Sequence, residues 1–326
     1  MRRTGLGRLG AVAVAGLVVL LAVFGFWLSG HNQVADDSYD VSVGKPANTT
    51  VHPVVCIDEA HHNFATADGR YKPFAKLLGN DGYRIVSTNF SFTAASLAPC
   101  QVLVIANALG ARFPALPSAS NPAFSFTEIA AVHEWVINGG SLLLVADHKP
   151  VGLATATLSK AFGVDMSGGH TEDDSHSDWS SGSSSWLIFA RDTGAKILDH
   201  PITLGRDSSE MIRRVETFTG QSLKGPPGSV GFLELAKTAT DRMPSGEVRS
   251  AAGRAQGVAL DLGRGRVVVL GEAAMLSAQV TGRGTRKFGM NWPNNDDRQL
   301  ALNILHWLSG ALTPTVLALA PDLPAR

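Results

Sequence analysis

Apolar runs and helical patterns alternate along the first half of the chain. Short runs rich in β-branched residues at 53–58, 83–89, 101–108 and 141–148 are typical of strands. The segments 71–82 and 126–140 have the apolar spacing of one helical face and end at glycines. Such alternation predicts an α/β domain with a doubly wound, mostly parallel sheet.

The second half of the chain is less regular. Residues 256–273 have two apolar runs around a Gly-Arg-Gly turn, which predicts an antiparallel hairpin at the edge of the sheet. A last helix is predicted within 294–310, with a buried apolar stripe and N-cap candidates from Asn294 to Asp297. The polar, Ser/Gly-rich segment 168–185 predicts a loop.

The N-terminus predicts a membrane anchor. Arg2, Arg3 and Arg8 precede an apolar run over 10–28, which is long enough to cross a bilayer core of about 30 Å. We expect a signal anchor or transmembrane helix in residues 1–30, with the membrane as a partner and the globular domain outside the cytoplasm at the cell membrane. A cleaved signal peptide is the alternative.

Domain organisation follows from that anchor. Residues 31–50 are polar and aperiodic and predict a linker, 51–312 form the α/β domain, and 313–326 form a tail. The formal net charge of +0 excludes the electrostatic footprint of a nucleic-acid-binding protein. Cys56 and Cys100 are expected toward opposite ends of neighbouring parallel strands, too far apart for a bridge, so we predict no disulfide.

Polar and ionisable residues gather where the predicted strands end. Because ligands bind outside the carboxyl ends of strands in open parallel sheets, these residues mark a candidate site. Its catalytic candidates are Asp58, His61, Asp147, His148 and Glu272, and its ligand-binding candidates are Glu59, His62, Asn63, Asn107, Lys149 and Gln279.

The chemistry of that set stays open. His61, Asp147 and His148 have the imidazole and carboxylate donors that suit one divalent metal ion, while the same groups could act as general acid and base without a metal. The alternative is that the acids cap helices and the histidines pack. Of the adjacent pair His61 and His62, only one can face the site. A second cluster, from His170 to Asp178, has metal-friendly composition, although its Ser/Gly-rich surroundings favour a solvated loop.

Two enzyme classes are excluded by missing motifs. The letters D-E-A-H at 58–61 match a helicase motif, but the chain has no phosphate-binding loop, since its Gly44-Lys45 is followed by proline. It also has no G-x-S-x-G nucleophile elbow.

Several segments resemble a known family. IDEAHHNF, EWVINGGSLLLVADHKP, LDHPITLGR, VVVLGEAAMLSAQ and NNDDRQLALNILHWLSG together resemble uncharacterised bacterial DUF4350-like proteins of the class I glutamine-amidotransferase-like superfamily. The resemblance implies a flavodoxin-like fold. The turn that carries the superfamily's cysteine nucleophile has Asp147-His148 here, so cysteine-dependent glutamine hydrolysis is not expected. A histidine at this turn and the segment HPIT are similar to the ThuA-like branch, which implies a carbohydrate or envelope glycan as ligand.

Two functions remain open from the sequence. The first is an envelope-anchored hydrolase, metal-assisted or metal-free, in which Lys149 or backbone N–H groups stabilise negative charge. The second is a non-catalytic binding or scaffold module that uses the same cleft. Protein partners are not indicated by any segment.

Overall fold

A computed structural model describes residues 33–281 and 286–312. The helices are α1 (Lys72–Asn80), α2 (Ala94–Leu97), α3 (Phe126–Ile137), α4 (Val151–Ala161), α5 (Pro201–Leu204) and α6 (Asp297–Leu308). The strands are β1 (Gln33–Ala35), β2 (Val54–Asp58), β3 (Arg84–Thr88), β4 (Val102–Ala106), β5 (Ser141–Val145), β6 (Asp165–Met166), β7 (His170–Glu172), β8 (Trp186–Ala190), β9 (Lys196–Ile197), β10 (Arg214–Phe218), β11 (Leu223–Lys224), β12 (Val230–Glu234), β13 (Thr240–Arg242), β14 (Val248–Ser250), β15 (Ala255–Leu262), β16 (Gly265–Leu270), β17 (Ala278–Thr281) and β18 (Lys287–Gly289).

A mixed sheet organises the described part of the chain. Twelve of the strands in the described ranges belong to it, in the order β10-β8-β9-β12-β15-β16-β5-β4-β2-β3, with β11 and β6 attached beside β15. The adjacent strands β16, β5, β4, β2 and β3 are parallel. The rest of the sheet is antiparallel except for the β8–β9 pair. The prediction of a doubly wound, mostly parallel sheet is therefore wrong: the protein is α/β, but with a mixed sheet.

The hairpin also lies elsewhere than predicted. Strands β15 and β16 pair antiparallel as expected, but β16 continues into the parallel half and β15 into the antiparallel half. The hairpin is thus in the middle of the sheet, because short strands after Trp186 extend the sheet beyond it.

Two apolar cores cover the faces of the parallel half. Successive side chains of β2 point to opposite faces, so Val55 and Ile57 join one core while Val54 and Cys56 join the other. Helices α1 and α6 cover the first face with Phe74 and Leu305, among others. Helices α3 and α4 cover the second. Burial of all five residues of β2, β4 and β5 explains why these segments read as continuous apolar runs.

The segment predicted as a linker contributes structure from residue 33 onward. Strand β1 pairs antiparallel with β17, and β17 pairs with β18, which makes a small sheet beside the main one. After β1, Tyr39, Val41 and Val43 pack against the first core. A further small sheet has the order β14-β13-β7, so the polar stretch 168–185 also contains a strand.

The predicted membrane anchor is corrected. No helix in residues 33–281 and 286–312 is long and apolar enough to cross a membrane. The predicted transmembrane helix, residues 1–30, lies outside the described residues, as does the predicted tail 313–326. The membrane as a partner and the position at the cell membrane with the domain outside the cytoplasm are accordingly not retained.

The prediction of no disulfide is wrong. Cys56 and Cys100 are bonded, with their Cα atoms 5.7 Å apart. Cys56 is the middle residue of β2 and lies opposite Leu103, while the chain turns at Cys100 before β4 begins. The prediction assumed that Cys100 lies on a straight extension of β4. Instead, Cys100 lies in the turn between α2 and β4. The rise per residue along a strand therefore does not separate it from Cys56.

Candidate functional site

A cavity of about 650 Å³ opens at the carboxyl ends of the parallel strands. Asn107 follows β4, Asp147 follows β5, and Glu272 follows β16; all three line this cavity. Because parallel strands end at the same edge of a sheet, the turns after them bring polar side chains from distant parts of the chain together. We call this space the main cavity.

Asp147 is held at the main cavity by three hydrogen bonds, two that its carboxylate accepts and one that its N–H donates. Its Oδ2 accepts a hydrogen bond of 2.7 Å from Asn107 Nδ2, and its Oδ1 accepts one of 2.7 Å from the N–H of Ala273. The N–H of Asp147 donates back to Asn107 Oδ1 at 3.0 Å. Removal of the carboxyl from water raises the pKa of Asp147, although these bonds and the nearby His148 and Arg70 oppose the shift.

Glu272 holds a backbone turn. Its Oε1 accepts from the N–H of Ala274 at 2.6 Å and its Oε2 from the N–H of Met275 at 2.8 Å. Burial, and then the charge of Asp147, raise the pKa of Glu272 to about 8. After Glu272 the chain forms a single 3₁₀ turn, Ala274–Leu276, whose first two N–H groups are bonded to the Glu272 carboxyl.

Aromatic rings form much of the wall of the main cavity. The guanidinium of Arg70 lies 3.6 Å from the centre of the Phe64 ring, and that of Arg286 lies 4.2 Å from Trp186. Trp186 packs edge to face against Phe218, with ring centres 4.8 Å apart. These five side chains line the cavity together with Phe288. The wall thus combines flat apolar faces with cations that are stacked on them.

Gln279 adds a fixed amide. Its Nε2 donates to Ser277 Oγ at 2.6 Å, while its Oε1 has no hydrogen-bond partner in the described ranges. Ser277 in turn donates to the carbonyl of Ala274 at 2.7 Å. The amide is therefore oriented by the turn after Glu272, and its oxygen remains available as an acceptor.

Asp58 and His61 lie in a separate buried cluster. His61 Nδ1 contacts Asp58 Oδ1 at 2.9 Å, and its Nε2 contacts Glu128 Oε1 at 2.9 Å. The imidazole also packs between Phe92 and Phe124, at ring distances of 4.7 and 4.6 Å. Burial alone lowers the pKa of His61, but bonds and charge from Asp58 and Glu128 outweigh it and raise the pKa above the usual value. Neither Asp58 nor His61 lines the main cavity.

The neighbouring candidates are also directed elsewhere. Asn63 Nδ2 donates to Asp58 Oδ2 at 2.9 Å, and Asn63 Oδ1 accepts from the N–H of His61 at 3.0 Å. Glu59 Oε1 accepts from the N–H of Ala67 at 2.9 Å and from Ser87 Oγ at 3.0 Å. His62 is exposed and has a positive φ of 51°. The segment 58–63 therefore builds a local turn, and none of these residues lines the main cavity.

The predicted metal ligands do not form a metal site. His61 uses both ring nitrogens, and His148 Nδ1 faces the carbonyl of Lys149 at 2.9 Å. In the second cluster, His170 pairs with Glu172 and His176 with Asp173, each as a separate couple. Throughout the ranges that the structure describes, no three His, Cys, Asp or Glu side chains are placed to hold a metal ion. The residues present do not fit a divalent metal.

The candidate set thus divides in two. The main cavity receives Asn107, Asp147, His148, Lys149, Glu272 and Gln279. The aromatic and cationic wall of the main cavity was not predicted from the sequence. Phe64 and Arg70 lie in the loop between β2 and α1, the same loop as His61, so the loop position that drew attention to His61 was a usable signal for them. Trp186 and Phe218 come from the antiparallel half, whose pairing no local pattern indicates.

A second, smaller cavity of about 300 Å³ adjoins the first. His148 and Lys149 line both cavities, and His170 and Arg242 line the second. Arg242 is paired with Glu172 at 2.9 Å. A ligand longer than a single ring could therefore extend past His148 from one cavity to the other.

Comparisons with known proteins support the fold and identify no family. No protein-family model and no curated protein matches the chain. Among solved structures, the N-terminal domain of mmIFT52 has 13% identity and a TM-score of 0.57, covering 78% of this chain and 97% of that one.

Other matched structures are more distant. A ThuA-like protein from Bacteroides uniformis has 11% identity and a TM-score of 0.42, covering 84% of this chain and 95% of its own. Exo-β-1,4-mannosidase Op5Man5 from an Opitutaceae bacterium has 12% identity and a TM-score of 0.40, covering 79% of this chain and 36% of its own. The structural neighbours thus include ThuA-like proteins and glycoside hydrolases, whereas membership of the DUF4350 family and of the glutamine-amidotransferase-like superfamily is not confirmed; what the chain shares with mmIFT52 is the fold.

Proposed function

We propose that the protein binds a saccharide in the main cavity and acts as a carbohydrate-binding module. The observation that carries this proposal is the wall itself, where Phe64, Trp186 and Phe218 stand beside the fixed polar groups of Asn107, Asp147 and Gln279. A sugar ring has an apolar C–H face that packs on an aromatic ring and hydroxyls that bond to oriented amides and carboxylates. A concave, mostly apolar site with a few fixed polar groups is the usual form of a small-molecule site.

Binding is favoured over the metal-assisted hydrolase for a structural reason. The five catalytic candidates for such an enzyme are split between two places. Asp58 and His61 lie in the buried cluster, whereas Asp147, His148 and Glu272 line the main cavity. The acid Glu272 is engaged by two backbone N–H groups. The main cavity keeps oriented hydrogen-bonding groups and aromatic faces. These groups are enough to bind a saccharide without a reaction.

Trp186→Ala is expected to weaken saccharide binding by about 10-fold or more, because the loss of one large stacking face removes apolar contact worth roughly 1.5–3 kcal/mol. The measurement is a fluorescence titration of the full chain. Its probes are gluco-, galacto- and manno-configured tetrasaccharides, each in its neutral form and as the corresponding uronate. Trp179→Ala is the matched control, since Trp179 is 75% exposed and lies outside the cavity lining.

A second variant separates binding from folding. Trp186 also packs on Trp292 at 5.2 Å, whereas Phe64 is 41% exposed, so Phe64→Ala alters the cavity with little cost to the core. We expect Phe64→Ala to weaken the same saccharides by several-fold. The proposal is wrong if no saccharide of the panel binds the wild-type chain. It is also wrong if Trp186→Ala and Phe64→Ala bind the saccharides as tightly as the control Trp179→Ala does.

A hydrolytic reaction is the second candidate, and Asp147 favours it. Its carboxyl borders the main cavity, and burial raises its pKa toward the range in which a carboxyl can act as a general acid. Each oxygen accepts one hydrogen bond, so each retains a lone pair for a substrate.

Asp147→Asn is expected to abolish release of new reducing ends, if the wild-type chain releases them, while changing affinity by no more than about 3-fold. Asparagine keeps the size of the side chain but removes its charge, its ionisable proton and one of the two hydrogen bonds that Asp147 accepts. Reducing ends are counted after incubation with each tetrasaccharide that binds. The absence of new reducing ends with wild-type protein would eliminate the hydrolase and leave the binding module.

A further inference from the structure

The cationic side chains of the main cavity are not neutralised by the protein. Arg70, Lys149 and Arg286 line it, and none of them forms an ion pair with a carboxylate in residues 33–281 and 286–312. Elsewhere on the molecule, arginines at 191, 206, 242, 249 and 254 each have an acidic partner within 3 Å. The cavity thus brings together three cations that have no carboxylate partner in the described ranges.

Arg70 is the most constrained of these cations. It stacks on Phe64 at 3.6 Å and donates from Nη1 to Gln33 Oε1 at 3.2 Å. Burial lowers the pKa of Arg70 to about 10, a value that still keeps the guanidinium charged at neutral pH. Asp147 interacts with Arg70 electrostatically, but the two do not form an ion pair. A charge that is partly removed from water and lacks a direct counter-ion is costly unless a ligand supplies one.

Both acids of the cavity accept hydrogen bonds from the protein, whereas the cations have neutral acceptors only: Gln33 Oε1 for Arg70 and the carbonyl of Ser181 for Arg286. Asp147 accepts from Asn107 and Ala273, and Glu272 accepts from Ala274 and Met275. The three cations face two acids, Asp147 and Glu272, so the side chains of the cavity have a net positive charge even when both acids are ionised.

We propose that the saccharide of the main cavity is anionic, and that Arg70, stacked on Phe64, and Arg286, stacked on Trp186, bind its negative group. This inference rests on the proposed saccharide site and names its ligand class as a sugar bearing a carboxylate, such as a uronate. A guanidinium presents parallel N–H donors that match the two oxygens of a carboxylate. Stacking on Phe64 and Trp186 fixes the planes of both guanidiniums, which lowers the entropic cost of binding the anion.

The test compares each neutral tetrasaccharide with its uronate on the full chain. For the configuration that binds best, the uronate is expected to bind about 10-fold or more tightly than the neutral form at low ionic strength, and this advantage should shrink in 0.5 M NaCl. Arg70→Gln is expected to remove most of the advantage while it changes the neutral affinity by less than about 3-fold.

Arg84→Gln is the matched control. Arg84 is an exposed arginine on β3, outside the cavity lining, so the same change of net charge there should leave the uronate preference intact. Arg286→Gln provides a second variant at an exposed position, and it should reduce the preference without reducing stability.

The outcomes separate this inference from the proposed function. If neutral and uronate forms bind the wild-type chain equally, or if Arg70→Gln weakens both forms alike, the anionic ligand class is wrong and the saccharide site stands. If no sugar of either kind binds, both proposals fail together.

Discussion

His61→Asn is expected to lower the free energy of unfolding by about 3–5 kcal/mol, the usual loss when one partner of a buried charged cluster is removed. The imidazole is 8% exposed and connects Asp58 Oδ1 with Glu128 Oε1, both at 2.9 Å. Asparagine is too short to reach both carboxylates, and it also vacates the space between Phe92 and Phe124. Urea unfolding of both proteins at pH 6 measures the difference.

His62→Asn is the matched control for that experiment. The adjacent His62 is exposed, and asparagine tolerates its positive φ of 51°, so we expect a change within about 0.5 kcal/mol. Equal losses from the two variants would show that the buried cluster contributes nothing of its own.

The pH dependence of the His61 effect has a defined sign. Because the folded-state pKa of His61 is raised above its unfolded value, its contribution is fully present below about pH 6.5 and is lost as the pH rises through the folded pKa. The difference in the free energy of unfolding between wild type and His61→Asn should therefore become smaller from pH 6 to pH 9. A difference in the free energy of unfolding that grows over this pH range would contradict the conclusion that folding favours the charged form of His61.

Loss of the Cys56–Cys100 bond is expected to cost about 4 kcal/mol of unfolding free energy. The two cysteines are 44 residues apart, and a cross-link of that length restricts the unfolded chain by this amount in the loop-closure model. Both side chains are nearly inaccessible, so alanine at both positions is preferable to serine, which would bury hydroxyls. Unfolding of Cys56→Ala/Cys100→Ala is compared with that of the oxidised wild type.

Reduced wild-type protein is the control for the double variant. It keeps both sulfurs in the core and lacks only the bond, so it should lose nearly as much stability as the double variant. If the reduced protein is as stable as the oxidised one, the cost of the alanines comes from packing rather than from the cross-link.

The parallel half of the fold was predictable from local pattern. Strands β2, β4 and β5 are buried along their whole length, which makes them continuous apolar runs, and helices such as α3 end at glycines. The antiparallel half was not predictable in this way. Strands such as β9 and β11 have two residues each, and their partners lie far along the chain. Long-range pairing, rather than local preference, decides their register.

The site was predictable only in part for the same reason. The rule that ligands lie at the carboxyl ends of parallel strands placed Asn107, Asp147 and Glu272 correctly at one edge of the sheet. It could not distinguish Asp147, which faces the cavity, from Asp58, which turns toward His61. That difference depends on Glu128 from α3, which completes the buried cluster around His61.

The small sheet that carries β1 ties ligand binding to completion of the fold. Gln33 in β1 and Phe288 in β18 line the same cavity, and β1 reaches it by pairing with β17. The cavity wall therefore exists only when segments from both ends of the described chain have docked on the sheet. A bound saccharide should stabilise the entire fold by mass action rather than one local region, and raise the midpoint of thermal unfolding in proportion to the logarithm of its concentration. If the proposed saccharide binds, its binding reports the fraction of molecules in which both ends of the described ranges have docked on the sheet.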